Sequence, residues 1–164
     1  MIVMKFGGTS NEDAAAMRNV IRIVQEHLDQ RPVVVISAIA KATNELELSA
    51  RTAAAGNEDE AVRIVTRLFE RHNTILDNLL NNRSLAGELE EVFYHHLSDI
   101  KTILKGIAIL RELTPRTMDA ICSYGERLSS RIIAAGLQEA GVDAVWIDAR
   151  EFMITDDNFG RAQP

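Results

Sequence analysis

MIVMKFGGTS, residues 1–10, carries the decision about the fold. Met1 to Phe6 is a short, mostly apolar run that stops at Gly7 and Gly8, the pattern of a buried strand entering a tight turn. A helix is expected next. Ser10 with Asp13 three residues later resembles a capping box with Asp in place of Glu, and Met17, Val20, Ile21, Val24 and Leu28 follow at helical spacing. That helix should end near Gln30, ahead of Pro32. Val33 to Ile36 is an unbroken β-branched run, which predicts a strand covered on both faces and hence a parallel sheet. Strand, helix and strand together make a right-handed βαβ unit.

Outward from that unit the pattern turns helical. Residues 44–55 are rich in alanine and end at Gly56 and Asn57. Val62, Val65, Phe69, His72, Leu76 and Leu79 recur three and four apart, and Asn81 and Asn82 interrupt them. A second series runs through Leu89, Val92, His96, Ile100, Ile103, Ile107 and Leu110. Two such helices joined by a short polar turn predict an antiparallel hairpin at about 58–111, its apolar seams facing each other and His96 in the seam. Thr114 and Pro115 then mark a strong helix start, with a pattern that meets Gly125 and runs on to Gly141. Val142 to Ile147 reads as a third strand.

Composition limits the function classes. A formal net charge of -6 over 164 residues, without a Lys- and Arg-rich stripe interleaved with aromatics, argues against nucleic acid as a partner. No apolar run reaches the length of a membrane span, and the N-terminus has no secretory pattern. The single cysteine, Cys122, has no internal disulfide partner and lies in an apolar helical pattern, so it reads as a buried small hydrophobe. A reducing cytoplasm is the expected compartment. His95 and His96 diverge by about 100° on a helix and cannot share a metal, and Asp156-Asp157-Asn158 lacks the offsets of a calcium loop. No metal site is expected.

Three constellations carry chemistry. In Lys5-Phe6-Gly7-Gly8-Thr9-Ser10 the paired glycines let backbone N–H groups wrap an anionic oxygen, while Lys5 supplies an ammonium and Thr9 and Ser10 supply hydroxyls. The other reading of the same residues is a sharp turn with a helix cap. Ser37-Ala38, with Thr43-Asn44, falls just beyond the carboxyl end of a parallel strand, where open α/β sheets bind ligands; alternatively it is a loop with capping side chains. In Ser123-Tyr124-Gly125-Glu126-Arg127 a glycine inside a helix hints at a kink or a close ligand approach. Glu126 is then a carboxylate placed for an ammonium group, or a solvated residue beside Arg127.

Together KFGGTS (5–10), VVVISAIAKATN (33–44), SYGERLS (123–129) and DAREFMITDDNFGRAQP (148–164) resemble the aspartate kinases, in that order and at family-like spacing. KFGGTS is the most diagnostic piece, since sister kinases of the fold carry looser Lys-plus-glycine variants. The resemblance implies an α/β amino-acid kinase fold of three layers, a mainly parallel sheet between helices with a helical insertion. It also implies ATP-dependent phosphorylation of the side-chain carboxylate of L-aspartate, the first step towards lysine, threonine and methionine. Lys5, Gly7 and Gly8 would contact the phosphates of ATP, with Lys5 catalytic and Thr9 and Ser10 shaping the loop. Ser37, Ala38, Thr43 and Glu126 would hold aspartate, Glu126 on its α-ammonium, with Phe159 near the substrate.

Mg²⁺ would accompany ATP, and a homo-oligomer is expected. Family members continue past FGRA into a glycine-rich segment with an Arg that grips the substrate, then a nucleotide-holding half, then ACT regulatory domains. Residues 1–164 are therefore expected to be the N-terminal portion of the catalytic domain, ending at Pro164 and inactive by themselves. Two alternatives stand beside this reading. One is a sister kinase of the fold acting on glutamate, acetylglutamate or a nucleotide monophosphate; the other is a non-catalytic assembly module.

Overall fold

A computed structural model describes residues 1–163. Pro164, the expected point of truncation, lies outside the described residues. Strand β1 (Ile2–Phe6) pairs in parallel with β2 (Pro32–Ile36), Lys5 opposite Val35 and Phe6 opposite Ile36. Between them runs α1 (Ala14–Gln25), and α2 (Ala42–Ala54), α3 (Glu58–Leu79), α4 (Arg83–Leu110) and α5 (Pro115–Glu139) follow. The class is α/β.

The expected elements recur with informative differences. Helix α1 starts later than Ser10, because Gly8–Asn11 forms a 3-10 turn and the Asp13 side chain takes the cap, accepting from Ala16 N at 2.8 Å. It also stops at Gln25, and a second 3-10 turn at Leu28–Gln30 leads to Arg31 in the left-handed region (φ 49°), which brings the chain round into Pro32. The helical start at Pro115 is as read, with Thr114 accepting from Thr117 N at 3.1 Å.

The β-branched run of β2 is covered on one face, not two. Val33 and Val35 are exposed with Val3, while Val34, Met4 and Ile36 pack inward. β-Branching favours the extended backbone whichever face is buried, so it does not report the second cover. The expected third strand is also absent among the described residues: the sheet has two strands, β1 and β2. Residues 142–147 do alternate in burial as a strand would, but side chains of α5 hold them in place of a ladder. Gln138 donates to Ala144 O at 2.8 Å, Trp146 Nε1 donates to Ser130 Oγ at 2.9 Å, and the Arg131 guanidinium lies 3.5 Å over the Trp146 ring.

Helix α3 buries a broader stripe than the six positions read from sequence. Ala61, Ile64, Leu68 and Ile75 are buried beside Val65, Phe69, Leu76 and Leu79, because α3 packs against α1, α2 and α5 as well as α4. One core therefore runs from Met17 of α1 through Leu46 of α2, Leu68 of α3 and Leu104 of α4 to Leu128 and Ile132 of α5. His96 belongs to α5's side of α4 rather than to the α3–α4 seam. Its ring lies edge-on to Tyr124 at 5.3 Å, and its Nε2 is 3.2 Å from Arg127 Nη2. Burial first, and the nearby Arg127 and Arg131 next, push its pKa down to about 4, so the neutral ring accepts from Arg127.

Candidate functional site

Three segments meet at the carboxyl end of the two strands. Parallel pairing puts the turn after β1 beside the loop after β2, and Ser37 N–H extends the ladder by one bond to Phe6 O at 3.1 Å. The contact is close: a side chain on Gly8 would come within 3.1 Å of Ala38 O and 3.4 Å of Ala40 N. Gly8 is thus required by packing. Gly7 is different, since its φ is -82° and a Cβ there would meet nothing within 4 Å. Neither backbone geometry nor the chain's own packing demands a glycine at that position. Its missing side chain leaves open space over the turn.

Helix α5 supplies the third segment. It runs unbroken through Gly125, so the glycine marks no kink; it allows a helix-to-loop contact, since a Cβ there would lie 2.8 Å from the Ala38 Cβ. That approach carries the next residue, Glu126, to the loop, where its Oε1 accepts from Ala38 N–H at 3.4 Å. Further along the helix, the buried Ser129 hydroxyl lies 2.8 Å from Ser37 O.

Two more side chains fix the loops. The fully buried Asn11 donates through Nδ2 to Gly7 O at 3.0 Å and to Ser37 O at 3.3 Å, joining the glycine turn to the loop after β2. Arg71 of α3 donates to Ala40 O at 3.1 Å and pairs with Glu45 at 3.4 Å. Lys41 closes the loop in the left-handed region, φ 69°, a conformation that usually selects glycine, and leads into α2.

Of the residues singled out from sequence, Gly7, Gly8, Ser37, Ala38 and Glu126 come together here, and half-buried Thr43 sits in the first turn of α2. Lys5 is exposed at the end of β1, on the face that carries Val3, and makes no ion pair among the described residues. Thr9 and Ser10 lie in the 3-10 turn, where Ser10 N–H donates to Gly7 O at 3.0 Å. Phe159 stands apart. Its ring lies 5.5 Å from the Arg116 guanidinium, and Gly160 N–H donates to Asp119 at 2.7 Å. Arg116 is ten residues before Glu126 on α5, which is about 15 Å along the axis.

Asn11, Arg71 and Ser129 escaped the sequence reading. Ser129 stood inside a motif already noted, whereas Asn11 and Arg71 carried no local signal. Asp148 also escaped it. Arg150 grips its carboxylate at 2.6 Å and Arg127 lies 3.7 Å away, and the Arg150 hydrogen bonds above all hold its pKa down to about 2. Cys122 is half-buried, and burial, then Glu47 and Glu126, push its thiol up to about 11, against a nucleophilic role. Cavities of about 540 and 300 Å³ border α4 between Glu58 and Lys105 and between Ile103 and Thr117, away from these loops. With Lys5, Gly7 and Thr9 exposed, the glycine turn forms an open shelf.

A glycine turn after a parallel strand, tied to the next strand's loop, which itself meets a helical carboxylate, lies at the strand-end edge where open α/β folds bind ligands. The chain is a member of the amino acid kinase family, whose model matches residues 1–163. Among its curated relatives, aspartokinase 2, chloroplastic, of Arabidopsis thaliana is 36% identical over 163 residues, which is 98% of this chain and 29% of that protein. Lysine-sensitive aspartokinase 3 of Escherichia coli (strain K12) is 32% identical over 100% of this chain and 34% of its own length. The solved structure of E. coli aspartokinase III in complex with aspartate and ADP superposes with a TM-score of 0.81 over 100% of this chain and 34% of that one, at 32% identity. The same enzyme with lysine and aspartate gives 0.86. The chain therefore spans about a third of the length of the relatives it matches.

Proposed function

We propose that the protein carrying this chain is an aspartate kinase, which moves the γ-phosphoryl group of ATP onto the side-chain carboxylate of L-aspartate to give 4-phospho-L-aspartate. One observation carries the reading: Gly7, a glycine that nothing in the chain requires, leaves open space two residues after Lys5, in a turn that Asn11 ties to the loop that Glu126 reaches. A phosphate fits that space, because N–H groups opening a helical turn lack partners within it and favour an anion. Mg²⁺ would arrive with ATP and offset phosphate charge.

The chemistry asked of the chain is modest. A carboxylate nucleophile is already an anion at neutral pH, so no strong base is needed and the difficulty is repulsion between it and the phosphates. Lys5 and the turn's N–H groups answer it by placing positive charge where negative charge gathers during transfer. Glu126 pairs with the α-ammonium of aspartate, and Ser37, Ala38 and Thr43 line the same side. Phe159 reaches the substrate only if its segment leaves the Arg116 position described above. In this reading α3 and α4 form an insertion on the α/β frame, the protein is a cytoplasmic homo-oligomer, and its remaining length supplies the nucleotide-holding half.

The test is formation of acyl phosphate, trapped with hydroxylamine, by the protein expressed from its complete gene. Turnover with aspartate well above that with glutamate, acetylglutamate or a nucleotide monophosphate is expected. Preference for any of those acceptors replaces the reading with a sister kinase, and no turnover with any replaces it with an assembly module.

A further inference from the structure

The peptide unit joining Ser37 to Ala38 is held at both of its edges. Its carbonyl oxygen accepts from Asn11 Nδ2 at 3.3 Å and from Ser129 Oγ at 2.8 Å, one donor from the turn after β1 and the other from α5. A carbonyl oxygen offers two lone pairs, so these two side chains occupy it. Ser129 has a single proton to give. Gly125 O and Glu126 O lie 3.1 and 3.2 Å from its hydroxyl, and the shorter contact is the one to Ser37.

Because a peptide is planar and trans, fixing where its C=O points also fixes its N–H, which emerges from the opposite edge. That N–H is the one on Ala38, directed at Glu126 Oε1. Both gripping residues have 0% exposure, so water cannot take over either bond. Asn11 also leaves its own Oδ1 buried and unpartnered among the described residues. An unpaired buried acceptor is unfavourable, so the amide is set here by what its donor end does.

We propose that Asn11 and Ser129 are positioning residues for the substrate: they aim the Ala38 N–H at an anionic oxygen of the substrate, and Asn11 locks the glycine turn to the same peptide. The Ala38 N–H bond to Glu126 is long at 3.4 Å, and an ammonium group that draws Glu126 towards itself opens that N–H to a carboxylate oxygen of the same molecule. The inference rests on the aspartate kinase reading and adds to it two residues that do not touch the substrate themselves.

The test uses the protein expressed from its complete gene, with Asn11→Leu, which keeps the branched outline and loses both donor bonds, and the pair Ser129→Ala and Ser129→Thr. Asn11→Leu and Ser129→Ala should each raise the KM for aspartate about tenfold and leave the KM for ATP within about twofold. Ser129→Thr, which keeps the hydroxyl, should recover most of the loss, and the Ala38 amide should exchange hydrogen faster in the first two variants. An unchanged aspartate KM in these variants overturns the proposal, as does an equal rise for both substrates or a Ser129→Thr no better than Ser129→Ala. Should Asn11→Leu fail to fold, the Ser129 pair decides. A wild-type protein that makes no aspartyl phosphate overturns the kinase reading instead, and amide exchange then judges the pinned peptide alone: unaltered exchange at Ala38 in both variants overturns it, and faster exchange upholds it.

Discussion

Lys5 and Glu126 are assigned different tasks and should fail differently when changed. Lys5→Ala removes one preorganised cation from the place where charge gathers, and turnover should fall roughly 10²- to 10³-fold. Since Lys5 is exposed and forms no ion pair among the described residues, circular dichroism of the variant should match the wild type. Near-normal turnover would remove Lys5 from the mechanism. Glu126→Gln keeps shape and loses the attraction for an ammonium, so the KM for aspartate should rise several-fold more than that for ATP. Equal loss for both would return Glu126 to the surface. The meeting of Gly8, Ala38 and Glu126 was foreshadowed by a glycine pair placed straight after a strand and by a glycine inside a helical pattern just before Glu126. Asn11 and Arg71 were not, because their partners Ser37 O and Ala40 O are backbone atoms 26 and 31 positions away, and no local pattern records such a bond.

Helix α5 couples packing to the site through its glycines. At Gly125 an added methyl meets the Ala38 Cβ at 2.8 Å, a neighbour that cannot swing aside without moving its backbone. Gly125→Ala should therefore cost about 1–3 kcal/mol by overpacking, more than offsetting the ~1 kcal/mol that alanine gains in a helix. Gly106 in α4 is the control, since a Cβ there has open space, and Gly106→Ala should stabilise by up to about 1 kcal/mol. Urea denaturation of both variants checks the opposite signs; a stabilising Gly125→Ala would mean that the loop at Ala38 yields freely. Helices were the most legible elements, since caps such as Thr114 and breaks such as Asn82 are written locally. Residues 142–147 misled because alternation reports an extended chain, and whether such a chain joins a ladder depends on a neighbour that alternation does not specify.

Over the whole molecule, acid should act first through buried imidazole. His72 is fully buried in α3 with Nδ1 against Leu68 O at 2.8 Å, and burial above all pushes its pKa from 6.5 down to about 4. The unfolded chain takes up a proton below about 6.5 that the folded chain refuses until about 4, so stability should fall across that window and gain no further slope from this group below it. The loss from His72 is on the order of 3 kcal/mol, with His96 adding in the same direction. Asp148 acts lower, between about 3.8 and 2. Urea midpoints at pH 7, 5.5 and 4.5 should decline in the wild type and decline less in His72→Leu; a flat profile refutes the assignment.

The segment after α5 also gives the molecule an optical property. Trp146 is the sole tryptophan; its indole lies under the Arg131 guanidinium and donates to Ser130 Oγ, which donates in turn to Glu126 O at 2.6 Å. Within residues 1–164 the one indole thus sits two hydrogen bonds from the residue assigned to the substrate ammonium, and its emission should report the Glu126 turn of α5 without any label.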